Sequence, residues 1–148
     1  MSECTLIHIT SPRVFMIADL HNFVVKALAT SPMIPDAQAA VLEMIEYIDK
    51  SMIGLFVVAQ DQKFVGLMLA ENSHSALSPG CSVLHFYNEG GADSRKLLIQ
   101  SAMNYARSGG FNKIRGFDIN QKPAAFARLF RAAGQAKSLG PLIEFDMP

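Results

Sequence analysis

Residues 81–110 read CSVLHFYNEGGADSRKLLIQSAMNYARSGG, and the parsing of this stretch decides the fold. Ser82 to Tyr87 is an apolar run holding a β-branched valine and two aromatics. Pro79-Gly80 precedes it and Glu89-Gly90-Gly91 follows, the punctuation of a buried strand. Asp93 or Ser94 is then expected to cap a helix by accepting the free N–H groups of its first turn. Leu98, Ala102 and Tyr105 recur at helical spacing, with Leu97 beside them. Gly109 and Gly110 are expected to end the helix by supplying positive φ. A glycine turn feeding a helix N-terminus presents unpaired N–H donors and the positive end of the helix dipole, which suits phosphate. Arg95 and Lys96 add two cations just inside that helix. The plainer alternative is a strand–turn–helix connection without a ligand.

Upstream, Thr5 to Thr10 reads as a first strand. Ser11-Pro12 starts a helix, with serine as cap and proline in the first turn, and an apolar stripe from Val14 to Leu28 carries it to Ala29. His21 is expected to be packed and hydrogen-bonded beside that stripe. Ser31-Pro32 and Ile34-Pro35 break the chain. Asp36 caps a second helix, Ala37 to Lys50, with Val41, Met44, Ile45 and Ile48 buried. Gly54–Gln60 and Lys63–Glu71 are apolar strands separated only by Asp61-Gln62, so they form an antiparallel hairpin. Asn72 to Gly80 is a polar loop. Downstream, Lys113 to Ile119 is a strand, Pro123 opens a last helix through Ala133, and Leu139 to Phe145 is a final strand interrupted early by Gly140-Pro141.

The expected order is β–α–α–β–β–β–α–β–α–β. Strands and helices mix without strict alternation. This predicts an α+β (mixed α/β) class: a single twisted, mostly antiparallel sheet flanked by helices. The β–α–β unit around residues 81–110 should place its two strands parallel.

The 148 residues make one domain's worth of chain, expected to span 1–148, and half of them are hydrophobic, enough for a sizeable core. Thirteen basic and thirteen acidic residues cancel, so no general attraction to nucleic acid or membrane follows. The basic residues Lys113, Arg115, Lys122, Arg128, Arg131 and Lys137 do concentrate in the last third. Cys4 and Cys81 have no metal-type spacing with the four histidines, and no metal is expected. Their pairing in a disulfide stays open, with nothing pointing to an oxidising compartment. No cationic leader precedes an apolar run, and no run approaches the roughly 20 apolar residues of a membrane span. The expectation is a soluble cytoplasmic protein without a membrane partner.

The element order, with its glycine turn after the fourth strand, resembles the GNAT superfamily of N-acetyltransferases over nearly the whole chain. QDQKFVGLML is similar to that family's second and third strands, with a glycine central to the third. GGADSRKLL is similar to its acyl-CoA pyrophosphate loop, Q/R-x-x-G-x-G/A-x-x-L-L. AFARLFRAAGQ is similar to the family's last helix. Aligned on Leu97-Leu98, Glu89 stands where Gln or Arg is usual, Ala92 at the first glycine, and Ser94 at the second small residue. Asp93 lies between them, Gly90 and Gly91 fall just before, and Arg95 partly offsets Asp93. Phe130 stands where the family often has a tyrosine that protonates the leaving thiolate.

The resemblance implies a GNAT-like acyl-CoA N-acyltransferase fold and acetyl-CoA as co-substrate. It implies transfer of acetyl to a primary amine, on a small molecule or a protein, by direct attack. A homodimer is compatible with it. The implied cofactor contacts are Leu84 and Phe86 through the fourth strand's backbone, Gly90, Gly91, Ala92, Asp93, Ser94 and Arg95 in the loop, and Asn120 after the fifth strand. The arm of the cofactor needs a gap between the fourth and fifth strands. An attacking amine must be neutral, which asks for a base: Glu71 and His85 are the candidates, each with a structural alternative as edge carboxylate and packed histidine. Tyr87 is a candidate replacement for the acid missing at Phe130. Two other readings are a catalytically inactive GNAT-like module that has lost CoA, supported by Ala92, Asp93 and Phe130, and a nucleic-acid contact through the basic last third. No serine-hydrolase, zinc-enzyme or P-loop motif is present.

Overall fold

The computed structural model describes residues 3–31, 34–117, 135–139 and 142–146, with Phe117 and the last two stretches described by backbone alone. The strands are β1 (Cys4–Ile9), β2 (Gly54–Gln60), β3 (Lys63–Ser73), β4 (Gly80–Asn88), β5 (Lys113–Phe117), β6 (Gln135–Leu139) and β7 (Leu142–Asp146). The α-helices are α1 (Ala18–Ala29), α2 (Ala37–Asp49) and α3 (Ala92–Ser108). The seven strands form one sheet in the order β1-β2-β3-β4-β5-β7-β6. Among the described residues only β4–β5 is parallel. All other neighbours are antiparallel, so the expected α+β class with a mostly antiparallel sheet flanked by helices is the observed one.

Both faces of the sheet's centre are covered, which is why β2 and β3 read as nearly continuous apolar runs rather than alternating ones. Leu55, Val57, Leu67 and Leu69 face α1 and α2, against Leu20, Phe23, Val24, Val41 and Met44. Phe56, Val58, Met68 and Ala70 face the other way, with Leu98, Ala102 and Ala106 of α3 and with Cys81, Val83 and Ile114. The α3 stripe repeats every four residues, and its two alanines keep its buried face narrow. Gly66 lets α3 lie close, because a Cβ there would come 2.7 Å from Leu98 Cδ1 and 3.0 Å from Ser94 Oγ.

The β2–β3 hairpin turns through Asp61 and Gln62 at φ 53° and 64°, the pair of left-handed residues that matches strand twist. Asp36 caps α2 by accepting from Ala39 N–H at 3.1 Å.

Several boundaries differ from the sequence reading. The helix expected from Ser11 to Ala29 is two pieces: a short 3-10 helix, Pro12–Met16, capped by Ser11, and then α1. Ile17 between them is extended, at φ −78° and ψ 113°. The apolar stripe crosses the break because both pieces bury toward the same core, so its period does not register it. His21 is partly exposed rather than packed. β3 continues to Ser73, which shortens the polar loop to residues 74–79. Gly110 has positive φ (83°), but Gly109 does not (−87°). The single strand expected at Leu139–Phe145 is replaced by the β6–β7 hairpin, with Leu139 opposite Leu142. Gly140-Pro141, read as an interruption, separates the two strands. The helix expected at Pro123–Ala133, including Phe130, and the end of the strand expected to reach Ile119 lie outside the described residues.

Cys4 and Cys81 are free thiols, and burial pushes Cys81 up to about 12. Among the described residues no helix is long and apolar enough to cross a membrane. No group of three His, Cys, Asp or Glu side chains there is arranged to hold a metal.

Candidate functional site

The site begins as a fault in the β3–β4 ladder. Leu69 pairs with His85 and Ala70 with Val83, leaving Leu84 as an extra residue on β4. Such a bulge bends its strand and shifts which side its residues face. Val83 therefore faces α3, while Leu84 joins the core under α1 and α2 and His85 reaches α1 itself. Phe86 faces α3 and Tyr87 faces α1 again.

The described pairing of β4 with β5 stops at the same place. The two pair only at Cys81, Ser82 and Val83, opposite Ile114, Arg115 and Gly116. From Leu84 onward β4 has no β5 partner among the described residues. The gap that the sequence reading asks for between the fourth and fifth strands would lie along Leu84 to Asn88, where its far wall falls outside the described residues.

β4 then delivers the chain to the start of α3 through Glu89, Gly90 and Gly91. Glu89 N–H stays in the sheet, donating to Val65 C=O at 2.8 Å. Asn88 organises the turn: its Oδ1 accepts from Gly90 N–H (3.1 Å) and Ser94 Oγ (2.8 Å), and its Nδ2 donates to Gly91 C=O (3.3 Å). Gly90 is fixed by crowding, since a Cβ would meet Ser94 Cβ at 2.8 Å and Val65 Cγ2 at 2.9 Å. At Gly91 a Cβ would meet nothing within 4 Å.

Neither Asp93 nor Ser94 caps the helix. The N-cap is Gly91, without a side-chain bond. Ser94 is fully buried and spends its hydroxyl on Asn88, and Asp93 points to solvent. The first intrahelical bond runs from Arg95 N–H to Gly91 C=O, so the N–H groups of Ala92, Asp93 and Ser94 precede the ladder. Gly91 beside them borders open space, and Arg95 and Lys96 are exposed on the same turn. This arrangement fits an anion such as a phosphate.

Glu89 is the one acidic side chain of the turn that is tied down. Its Oε2 accepts from Lys26 Nζ at 2.7 Å and from Tyr87 OH at 2.6 Å. Those two bonds hold its carboxyl below the usual range, Lys26 contributing most, and Glu89 in turn raises both Lys26 and Tyr87. A tyrosine held up in this way, with its hydroxyl already donating to a carboxylate, is a poor stand-in for the acid missing at Phe130.

His85 is 3% exposed. Its Nε2 lies 2.7 Å from Ala27 C=O, so this nitrogen carries the proton and donates. Its Nδ1 is buried without a partner. Burial lowers its pKa against a smaller opposing effect of the Ala27 bond, and the ring is neutral at pH 7. Glu71 is exposed on β3, opposite Ser82 and two residues along from Leu69, the cross-strand neighbour of His85.

Thus Leu84 and Phe86 lie on β4, Gly90 and Gly91 in the turn that follows, and Ala92, Asp93, Ser94 and Arg95 in the first turn of α3. Glu71 and His85 sit on the α1–α2 side of the sheet beside the bulge. Asn120 lies outside the described residues. Lys26 and Asn88 were missed. Asn88 had a visible signal, an Asx residue directly before a Glu-Gly-Gly turn. Lys26 had none, since its partner is 63 residues away.

No protein-family profile and no curated protein matches the sequence. Solved structures do match the fold. An acetyltransferase of the GNAT family from Streptococcus pneumoniae superposes with a TM-score of 0.68 at 13% identity, over 99% of this chain and 100% of that one. PaiA N-acetyltransferase from Thermoplasma acidophilum, in complex with coenzyme A, gives 0.59 at 12% identity, over 96% and 99%. Aminoglycoside N-acetyltransferase AAC(6')-Iy in complex with CoA gives 0.68 at 12% identity, over 95% and 92%. Together with the bulged β4, the single parallel pair and the glycine turn into α3, these superpositions give the chain the fold of the GNAT acetyltransferases.

Proposed function

We propose that the chain binds acetyl-CoA along β4 and transfers its acetyl group to a primary amine. One observation carries the reading: β4, paired with β5 only at Cys81 to Val83 among the described residues, runs through the glycine turn to three N–H groups that precede the α3 ladder, with no side-chain cap at Gly91. An extended arm ending in a pyrophosphate has that shape and that sequence of needs, backbone partners first and anion donors second. Coenzyme A in complex with two structures of the same fold supports the choice of ligand.

In this reading the neutral amine nitrogen attacks the thioester carbonyl carbon, the C–S bond breaks with CoA leaving as its thiolate, the amine's proton passes to a base, and the thiolate takes up a proton from solvent. Backbone N–H groups of β4 near Leu84 would supply donors for the carbonyl oxygen. Neutral His85 keeps a free lone pair on Nδ1 but is buried, while Glu71 is exposed. Glu71 is the better proton acceptor for an incoming amine, and His85 sets the position of the bulge against α1. Aminoglycoside acetyltransferases among the structural neighbours favour a small-molecule amine over a protein one.

A second reading has its own support. Glu89 and Asp93 put two carboxylates at the turn, as a scaffold that has lost its cofactor would tolerate. One titration separates the two. Acetyl-CoA at a hundred times its Kd should add about 2.7 kcal/mol of stability, a shift in Tm on the order of several degrees. Acetyl-CoA and CoA should both give it and ATP should not. A flat response to both CoA species sinks the acetyltransferase and leaves the inactive scaffold.

A further inference from the structure

Glu89 stands two residues before the N-cap of α3, at the turn assigned above to phosphate. A bare carboxylate there would repel any anionic ligand. This one is not bare, because Lys26 reaches it from α1 at 2.7 Å and Tyr87 fixes the same oxygen at 2.6 Å. The side chains of Lys26 and Glu89 are 59% and 36% exposed, so the pair lies at the mouth of the site rather than in the core. α1 and α2 hold many apolar contacts that already anchor them to the sheet. The ion pair is therefore not needed to attach α1, and its remaining effect is on the charge of the turn.

We propose that Lys26 sets the site's affinity for an anionic cofactor by cancelling the Glu89 carboxylate, with Tyr87 holding that carboxylate in place. The inference rests on the acetyl-CoA reading. It makes α1 a contributor to cofactor affinity without any direct contact to the cofactor. The other charges at the turn are Asp93, Arg95 and Lys96, all exposed, and they leave a constant background of one positive charge.

The test is calorimetric titration of CoA into four full-length chains: wild type, Lys26→Met, Glu89→Gln and the double variant. The charge of the pair is zero, negative, positive and zero in that order. Affinity should follow it. Lys26→Met weakens CoA roughly five- to tenfold, the effect of one charge several ångströms away at a protein surface. Glu89→Gln tightens it, and the double variant returns to within about twofold of wild type. The spread should shrink in roughly 0.5 M salt. Thermal unfolding of each variant checks that the fold is kept. If Lys26→Met binds as wild type does, or if the double variant stays as weak as Lys26→Met, charge cancellation is wrong while the acetyl-CoA reading stands. If the wild type binds no CoA, both fall.

Discussion

His85 shows how a single residue acquires its properties from distant chain. Its sequence context, between Leu84 and Phe86 in an apolar strand, is commoner for a packed histidine than for a base. The choice of tautomer comes from Ala27, 58 residues earlier, whose carbonyl accepts from Nε2. Burial lowers the folded-state pKa below the ordinary 6.5. Above that value both folded and unfolded forms are neutral and its contribution is complete. As pH falls below about 6.5 the unfolded chain takes up a proton that the folded ring resists, so stability is lost toward the depressed folded pKa. His85→Gln keeps a donor for Ala27 but cannot titrate. The fall in Tm between about pH 6.5 and 5 should therefore be shallower in this variant. His8, also lowered by burial, keeps a residual slope in both. Equal slopes in the two proteins would show that His85 is not the titrating group.

At the scale of elements, the turn between β4 and α3 separates two glycines that look alike in sequence. Gly90 is wedged against Ser94 and Val65, while Gly91 faces open space. Gly90→Val should destabilise the protein by about 1–3 kcal/mol through overpacking. Gly91→Val should leave the thermal midpoint within a few degrees yet place a branched side chain where phosphate would sit, weakening CoA on the order of tenfold or more. Chemical denaturation and calorimetry read the two effects separately. A Gly91→Val chain that binds CoA normally would remove the turn from the site. The helix itself was legible from Leu98 and Ala102, because a four-residue period needs no tertiary information. Its cap was not. Asp93 and Ser94 are both good capping types, and the competition was decided by Asn88, which took the Ser94 hydroxyl.

For the whole molecule, the central strands hold two cores together. Leu67 and Met68 are adjacent on β3 and fully buried on opposite faces, one toward α1 and α2 and the other toward α3. Leu67→Ala and Met68→Ala should each cost about 2–5 kcal/mol, and each should lower one shared transition seen by far- and near-ultraviolet circular dichroism. Separate transitions would mean that the two faces unfold independently. The succession of strands and helices from β1 to β5, the β2–β3 hairpin and the mostly antiparallel sheet were determined by the sequence alone, since apolar periodicity and turn residues are local and act within about ten positions. The missed β6 belongs to the same lesson in reverse: Gln135–Leu139 carries little apolar signal, and pairing with β7 is what makes it a strand. The Leu84 bulge, the parting of β4 from β5, the uncapped start of α3 and the Lys26–Glu89–Tyr87 cluster were decided only by the tertiary structure. Each depends on which backbone or side chain arrives from another element. Strand register and hydrogen-bond competition are settled by packing across the sheet, and no local stretch of sequence contains both partners.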